Sequence, residues 1–260
     1  MIVDSHCHLL HKKSDLSIDN ILLNAKNANV NTLLNISTTP NEFEDLIKIS
    51  EKYDNVYSSI GIHPHDSSIL TDDIFLKIIN LVNHDKVIGI GETGLDFFYN
   101  HSNKKDQILS FNKHIDLAQD SGLPLIVHMR DSEDEISKIL IERYKRKKFS
   151  GVIHCFTGSS SFLDTLEAID FYASISGIIT FSNSDSLRNT VKNIPLKRIL
   201  VETDAPYLTP VPLRGKVNQS SYITHTLEYM TNLFNVSYED LSKKTTDNFF
   251  KLFKKAIRLG

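Results

Sequence analysis

The chain has 260 residues, with 29 basic and 32 acidic side chains and a formal net charge of −3. This near-neutral balance excludes a polybasic protein that holds nucleic acid through bulk charge, but it allows a local basic patch. Two cysteines in such a chain exclude a disulfide framework and favour a reducing compartment.

The first residues carry neither the basic region nor the apolar run of a secretory signal. No apolar run in the sequence approaches the roughly 18 residues that a membrane span needs. We therefore expect a cytoplasmic protein without membrane contact, and nothing in the pattern requires an obligate protein partner.

Short apolar runs rich in β-branched residues alternate with helix-length segments along the chain. Eight runs predict strands that are covered on both faces, at residues 2–3, 32–36, 56–62, 87–90, 125–127, 152–153, 171–175 and 199–201. This alternation predicts an α/β protein, and about eight units in this length predict a closed (β/α)₈ TIM barrel. An open doubly wound sheet is the alternative, but it often has a glycine-rich turn where this chain has residues 5–8. No linker or repeat divides the sequence, so residues 1–260 are expected to form one domain.

Helices are predicted between these strands, at residues 74–82, 107–120, 135–144, 162–169 and 186–191. The clearest is 107–120, which has apolar residues at helical spacing and ends before Gly122. A closing helix is predicted at residues 237–253, where Ser237 and Asp240 can form a capping box.

Potential metal ligands follow six of the eight predicted strands, at the ends where a TIM barrel builds its active site. In chain order they are His6, His8, His63, His65, Glu92, His128, His154 and Asp204. A single histidine at a strand end is more often a polar residue with an ordinary hydrogen bond. The recurrence at equivalent positions of six strands indicates a metal centre.

Side-chain alternation along a strand gives the chemistry of this centre. His6 and His8 share one face, whereas Cys7 points away from it, and by the same rule His154 points inward and Cys155 outward. Both cysteines are therefore predicted to be buried apolar fillers, and neither thiolate ligands nor a disulfide pair. The remaining nitrogen and carboxylate ligands suit zinc, manganese or magnesium.

More than four candidate ligands predict two divalent ions. Glu92 can bridge them, which imidazole cannot readily do, and two ions about 4 Å apart can activate water and stabilise the attacking and leaving oxygens of a phosphodiester. Asp204 is predicted to bind one ion and to orient or deprotonate the water. The alternative for Asp204 is a helix N-cap before Ala205 and Pro206.

Glu202 shares the face of Asp204 and lies two residues deeper in the predicted strand. A buried carboxylate needs a partner. Arg130 lies two residues beyond His128 on the same face, and we predict that it pairs with Glu202.

Six segments carry a resemblance to a known family. They are residues 4–8 (DSHCH), 61–65 (GIHPH), 91–96 (GETGLD), 127–131 (VHMRD), 154–158 (HCFTG) and 202–207 (ETDAPY). In this combination and order, the sequence resembles the TatD family of metal-dependent deoxyribonucleases in the amidohydrolase-like superfamily. Many other members of that superfamily bridge their metals with a carboxylated lysine. The glutamate at position 92 favours the nuclease-like branch.

The resemblance implies a TIM barrel and assigns roles to the strand-end residues. One ion would be held by His6, His8, Glu92 and Asp204, and the second by Glu92, His128 and His154. His63 and His65 would line the substrate site near the scissile phosphate. From the residues alone, those two histidines fit a hydrogen-bonded loop around Pro64 equally well.

One loop departs from the family pattern. The usual histidine at position 213 is Leu213, and the usual Glu-Pro-Ala after Asn218 is replaced by residues 219–221 (QSS). This affects the expected substrate preference and leaves the predicted ligands intact. Arg214 and Lys216 in the loop are either phosphate contacts or ordinary exposed cations.

The leading hypothesis is therefore a deoxyribonuclease that uses two divalent ions to cut DNA, acting exonucleolytically on single-stranded or 3′ ends. The alternatives are a metal-dependent amide or ester hydrolase, such as a D-aminoacyl-tRNA deacylase, and a metal-binding barrel without chemistry. Four aromatic residues near the predicted barrel mouth either stack bases or pack as a rim, namely Phe97, Phe98, Tyr99 and Tyr207.

Overall fold

The structure is a computed structural model that describes residues 1–258. Eight strands form one parallel sheet in which each strand pairs with the next in chain order. They are β1 Ile2–Cys7, β2 Val30–Ile36, β3 Val56–Ile60, β4 Val87–Asp96, β5 Leu125–Arg130, β6 Gly151–Ile153, β7 Tyr172–Ile175 and β8 Ile199–Val201.

The first and last strands are joined, so the sheet curls into a barrel. The Ser5 hydroxyl donates to the carbonyl of Val201 at 2.9 Å. Just beyond β8, the backbone N–H of Asp204 donates to the carbonyl of His6 at 2.9 Å, and the N–H of His8 donates to Ala205 at 2.8 Å. The predicted TIM barrel is thereby confirmed, and the open sheet is excluded.

Nine α-helices lie among the described residues, and the longer ones follow the strands as a TIM barrel requires. They are α1 Ile18–Asn27, α2 Phe43–Lys52, α3 Asp72–Leu81, α4 Lys104–Ser121, α5 Glu133–Arg146, α6 Phe162–Ile169, α7 Asp185–Val191, α8 Ile223–Phe234 and α9 Tyr238–Leu252. Every predicted helix is present, with ends that differ by at most three residues. Helices α1, α2 and α8 were not predicted.

The apolar core has two layers. The inner layer takes at least one side chain from each of the eight strands, for example Leu34, Ile126 and Leu200. Phe249 of α9 and Phe253 just beyond it pack against these side chains, so α9 closes the barrel at the end away from the predicted ligands. The outer layer lies between the barrel and the helices, and Cys7 is part of it, as predicted.

The N-terminus of α9 has half of the predicted capping box, since Ser237 caps the backbone but the Asp240 carboxylate does not bind the backbone N–H of Ser237. The Ser237 hydroxyl oxygen accepts the backbone N–H of Asp240 at 3.0 Å, and it donates to the Asp240 carboxylate at 2.7 Å. No helix within residues 1–258 has the length and apolar character needed to cross a membrane. The single domain over 1–260 stays a prediction, and its last two residues lie outside the described part of the chain.

Strand β4 extends six residues beyond the predicted end and brings Glu92 into the barrel wall. Gly94 permits this extension, because its φ is +142° and an added Cβ would lie 2.0 Å from the carbonyl oxygen of His128. The close approach of β4 and β5 at this point holds Glu92 beside His128.

Candidate metal centre

An open cavity of about 1290 Å³ lies at the carboxyl ends of the strands. Seven of the eight predicted strand-end residues line it: His8, His63, His65, Glu92, His128, His154 and Asp204. The eighth, His6, is fully buried and lies beside them, with its ring stacked on that of His154 at 4.0 Å. The structure therefore brings all eight predicted residues to one place.

The first group of ligand atoms comes from β1 and the segment after β8. Nε2 of His6 and Nε2 of His8 are 3.3 Å apart. Oδ1 of Asp204 lies 3.3 Å from Nε2 of His8 and 3.7 Å from Nε2 of His6. Oε2 of Glu92 completes the group, at 3.3 Å from Nε2 of His6.

The second group surrounds the other oxygen of the same glutamate. Oε1 of Glu92 lies 2.8 Å from Nδ1 of His128 and 2.8 Å from Nε2 of His154. Nε2 of His63 lies 3.4 Å from the same oxygen. Each oxygen of Glu92 thus faces its own set of imidazole nitrogens.

These donor sets fit divalent ions. The ligand atoms of His6, His8 and Glu92 all lie within 4.8 Å of one another, and so do those of His63, Glu92 and His128. Nitrogen and carboxylate oxygen without sulfur suit zinc, manganese or magnesium. Both cysteines are free thiols, with Cys7 buried, and Cys155 in the cavity wall.

Burial and charge determine the protonation of the group. Burial alone would raise the pKa of Glu92, but His154, His63 and His128 outweigh it and hold that pKa well below its usual value. Burial lowers the pKa of His63 to about 4. At neutral pH Glu92 is therefore ionised, which is the form that binds cations. His63 is neutral, and a neutral imidazole can donate a hydrogen bond.

The predicted pair between Arg130 and Glu202 is wrong. Arg130 is exposed, and its guanidinium carbon lies 4.3 Å and 4.6 Å from the ring centroids of Phe98 and Tyr99. Arg130 is the last residue of β5 and lines the cavity, whereas Glu202 is fully buried and is not part of the cavity wall within residues 1–258.

Glu202 has other partners. Its Oε1 accepts the backbone N–H of Cys155 at 2.7 Å and lies 3.5 Å from Nδ1 of His154. The carboxylate thus faces the nitrogen of His154 that is turned away from Glu92. A carboxylate in this position orients an imidazole so that its other nitrogen can bind a metal.

Asp96 is a site residue that sequence analysis did not assign. It is 1% exposed, and its Oδ2 lies 2.8 Å from Nε2 of His65 and 3.2 Å from Nε2 of His128. Its Oδ1 accepts the backbone N–H groups of Phe98 and Tyr99. Residues 92 and 96 are an even number apart along one strand, so side-chain alternation was the signal that could have found Asp96.

Of the two interpretations of the segment around Pro64, the structure confirms the hydrogen-bonded loop. Nδ1 of His63 accepts the backbone N–H of His65 at 3.1 Å, so the loop is hydrogen-bonded. Both rings also line the cavity. The loop therefore holds the two histidines in the cavity wall, and their contact with a substrate stays a prediction.

Arg214 lies apart from this cluster. Its guanidinium carbon is 3.8 Å from the ring centroid of Phe181, and Nη1 donates to the carbonyl of Thr209 at 3.1 Å. It is not among the residues of the cavity wall within residues 1–258. Its predicted contact with substrate stays a prediction.

A TIM barrel with imidazole and carboxylate ligands at the carboxyl ends of its strands defines the class of metal-dependent hydrolases. The model of the family "TatD related DNase" matches residues 3–254. The chain belongs to the TatD family, as the sequence motifs indicated, and is a hydrolytic enzyme.

Relatives and solved structures agree with this assignment. The chain is 41% identical over 255 residues to an "Uncharacterized metal-dependent hydrolase" of Buchnera aphidicola subsp. Baizongia pistaciae, covering 97% of this chain and 96% of the relative. It is 31% identical over 244 residues to the "3'-5' ssDNA/RNA exonuclease TatD" of Pectobacterium carotovorum, covering 92% and 94%. The fold matches the crystal structure of the TatD homologue YJJV from Escherichia coli with a TM-score of 0.91 and 23% identity, over 97% and 98% of the two chains.

Proposed function

We propose that this protein is a deoxyribonuclease that hydrolyses phosphodiester bonds at the ends of single-stranded DNA and uses two divalent ions. The observation that carries the proposal is the position of Glu92, since one of its oxygens faces His6 and the other faces His128 and His154. The name of the Pectobacterium relative, an exonuclease acting on single-stranded DNA and RNA, supports a nucleic-acid substrate.

Two sets of residues would hold the ions. The first is His6, His8, Asp204 and Oε2 of Glu92, and the second is Oε1 of Glu92, His128 and His154. When bound, two such ions neutralise phosphate charge and lower the pKa of a water molecule. Zinc, manganese and magnesium all fit the donor atoms.

Asp204 is the residue that we assign to proton transfer. Its side chain is 13% exposed, against 3% for that of Glu92, so water in the cavity can reach it more readily. The pKa of Asp204 is lowered because His8 and His6 outweigh its burial. An ionised carboxylate at this position accepts the proton of the attacking water. Glu92 instead joins the two groups of ligands, with one oxygen facing each group.

His63 and His65 would contact the scissile phosphate. Nδ1 of His63 is occupied by the backbone N–H of His65, so the proton of a neutral His63 is on Nε2, next to the metal centre. The side chain of His65 is 28% exposed, which leaves it accessible from the cavity. An N–H at this place donates to a phosphate oxygen and orients it for attack.

The depth of the centre favours an unpaired strand. His6 is fully buried and Glu92 is 2% exposed, so the ligands lie at the bottom of the cavity. A phosphodiester inside a duplex is flanked by the partner strand and cannot reach this depth, whereas an unpaired end can enter alone.

The test is the release of nucleotides from a 3′-labelled single-stranded oligonucleotide by the full-length protein. We expect activity that a chelator abolishes and that added magnesium, manganese or zinc restores. Asp204→Asn and Glu92→Gln should each lower the rate at least about a hundredfold. Asp72→Asn changes an exposed carboxylate on α3, outside the cavity, and serves as the matched control.

Assays with a D-aminoacyl-tRNA under the same conditions distinguish a nuclease from the alternative, a metal-dependent ester hydrolase. Faster hydrolysis of that ester than of the oligonucleotide, lost in the Asp204 variant, would show that the centre is catalytic but that DNA is not its substrate. Wild-type rates in both variants would contradict the assignment of the site.

A further inference from the structure

Tyr207 lies on the cavity wall next to the first group of ligands and is not used by the chemistry described above. Its ring centroid is 6.4 Å from that of His8, and the residue is 41% exposed. Its hydroxyl oxygen lies 2.7 Å from Nε2 of His11, which also lines the cavity. These two side chains form a hydrogen-bonded pair at the rim.

The direction of that hydrogen bond follows from a third residue. The backbone N–H of Lys13 donates to Nδ1 of His11 at 3.1 Å. A ring nitrogen that accepts carries no proton, so neutral His11 carries its proton on Nε2 and donates it to the oxygen of Tyr207. The phenol proton is therefore not used in this bond, and within residues 1–258 the Tyr207 hydroxyl makes no other hydrogen bond.

The hydroxyl remains a donor at neutral pH. The ordinary pKa of a tyrosine is about 10, so its hydroxyl is protonated at neutral pH. A protonated hydroxyl with an unused hydrogen in a cavity wall is a hydrogen-bond donor for whatever the cavity binds.

Charge on the cavity wall indicates what that ligand is. Nζ of Lys13 lies 5.3 Å from the ring centroid of Tyr207, just outside the cavity wall, and the preceding residue, Lys12, is also exposed. Among the described residues, the wall carries four carboxylates around the start of α5, at Asp131, Glu133, Asp134 and Glu135, against one cation there, Arg130, whereas the side near His11 and Tyr207 has, besides the proposed metal ligands, the single carboxylate of Glu42. A polyanion is repelled from the acidic part and attracted to the part formed by Tyr207 and Lys13.

We propose that Tyr207, His11 and Lys13 form a phosphate subsite, which binds the phosphate of a nucleic-acid strand adjacent to the one at the metal centre. Tyr207 donates to a non-bridging oxygen, His11 holds the hydroxyl in place, and Lys13 supplies positive charge. The subsite gives the strand one direction across the cavity, away from the acidic wall. This inference rests on the proposed nucleic-acid substrate.

Tyr207→Phe removes only the hydroxyl and is the primary test. A hydrogen bond to a charged oxygen is worth about tenfold in affinity, so KM for a single-stranded oligonucleotide should rise about tenfold with less than about a twofold change in kcat. Tyr53→Phe is the matched control, because its hydroxyl bonds Asp19 at 2.5 Å far from the cavity. An unchanged KM in Tyr207→Phe would overturn the subsite.

His11→Ala tests the positioning role. The variant should raise KM about threefold, and combining it with Tyr207→Phe should add nothing beyond the tyrosine change alone. Additive effects of the two substitutions would show that His11 does not act through the Tyr207 hydroxyl and would overturn that part of the proposal.

Equilibrium binding separates failure of the subsite from failure of the proposed function. The probe is a fluorescein-labelled single strand whose bridging 3′ oxygens are replaced by methylene groups, added to the metal-loaded protein. Such a strand resists cleavage and keeps both non-bridging oxygens. Tyr207→Phe should bind it about tenfold more weakly than the wild type.

A wild type that binds but does not cleave oligonucleotides refutes the nuclease activity and leaves the subsite to be judged by this ratio. A wild type that does neither refutes both, and a wild type that cleaves but shows no difference from the variant refutes the subsite alone.

Discussion

Nε2 of His128 lies 3.2 Å from Oδ2 of Asp96, and this contact determines which nitrogen of His128 faces the metal centre. An ionised carboxylate only accepts hydrogen bonds, so with an ion held at Nδ1 the remaining proton of His128 would be on Nε2, facing Asp96. Nδ1 itself faces Oε1 of Glu92, 2.8 Å away. The same carboxylate contacts His65, so one buried aspartate positions both a proposed metal ligand and a histidine proposed to face the substrate.

Asp96→Asn should weaken the second ion more than the first. An asparagine side chain accepts hydrogen bonds at its oxygen but not at its nitrogen. Either His128 or the backbone of residues 98–99 therefore loses its hydrogen-bond acceptor. We expect the affinity of the site at His128 to fall roughly 10- to 100-fold. Isothermal titration of the metal-stripped protein with zinc measures both sites, with Asp72→Asn as the control. Equal affinities in the variant and the wild type would contradict the assigned role of Asp96.

Glu202→Gln should also weaken the second ion. The amide oxygen can still accept the N–H of Cys155, but the charge beside Nδ1 of His154 is lost. We expect a loss of affinity of about tenfold or more at that site.

Arg130→Met is the comparison variant for Glu202, because the structure separates these two residues. It should leave zinc affinity and the free energy of unfolding unchanged, since Arg130 only stacks on Phe98 and Tyr99 at the rim. Weaker zinc binding in Arg130→Met together with wild-type binding in Glu202→Gln would reverse our interpretation.

His114 should make the protein less stable as pH falls. It is fully buried, Nε2 accepts the N–H of Ile62 just before the substrate-site histidines, and burial lowers its pKa to about 4. Below the ordinary histidine pKa of about 6.5 the unfolded chain binds a proton that the folded protein does not, so the contribution of His114 declines between about pH 6.5 and 4. From pH 7 to 5 this loss should be about 2 kcal/mol.

Urea unfolding of the wild type and of His114→Gln at both pH values measures this contribution. The variant cannot titrate at this position, so its stability should change less over the same range, whatever its absolute value. Equal changes in the two proteins would show that His114 does not couple folding to pH.

Sequence patterns predicted the barrel because its buried strands are short runs of β-branched residues. They underestimated β4 and β5, whose last residues are polar side chains that point into the cavity, including Glu92, Asp96 and His128. An apolar pattern therefore ends before such a strand does. Helices α1, α2 and α8 were missed although each has one buried face, with Leu227 and Met230 as examples in α8.

The candidate ligands were recognisable because alternation along a strand and position at its end are both sequence properties. Contacts between strands are not, because they depend on the stagger of the strands around the barrel. For that reason Glu202 was paired with Arg130, whereas its partners are Cys155 and His154. The proximity of His63 to Glu92 likewise required the three-dimensional structure.

The central claim is that Glu92 divides the cluster into two ion sites, and anomalous X-ray diffraction from crystals of the zinc-loaded protein tests it most directly. We predict two peaks about 4 Å apart, one between His8 and Asp204 and one between His128 and His154, with Glu92 between them. A single peak, or two peaks of which neither contacts Glu92, would contradict the claim.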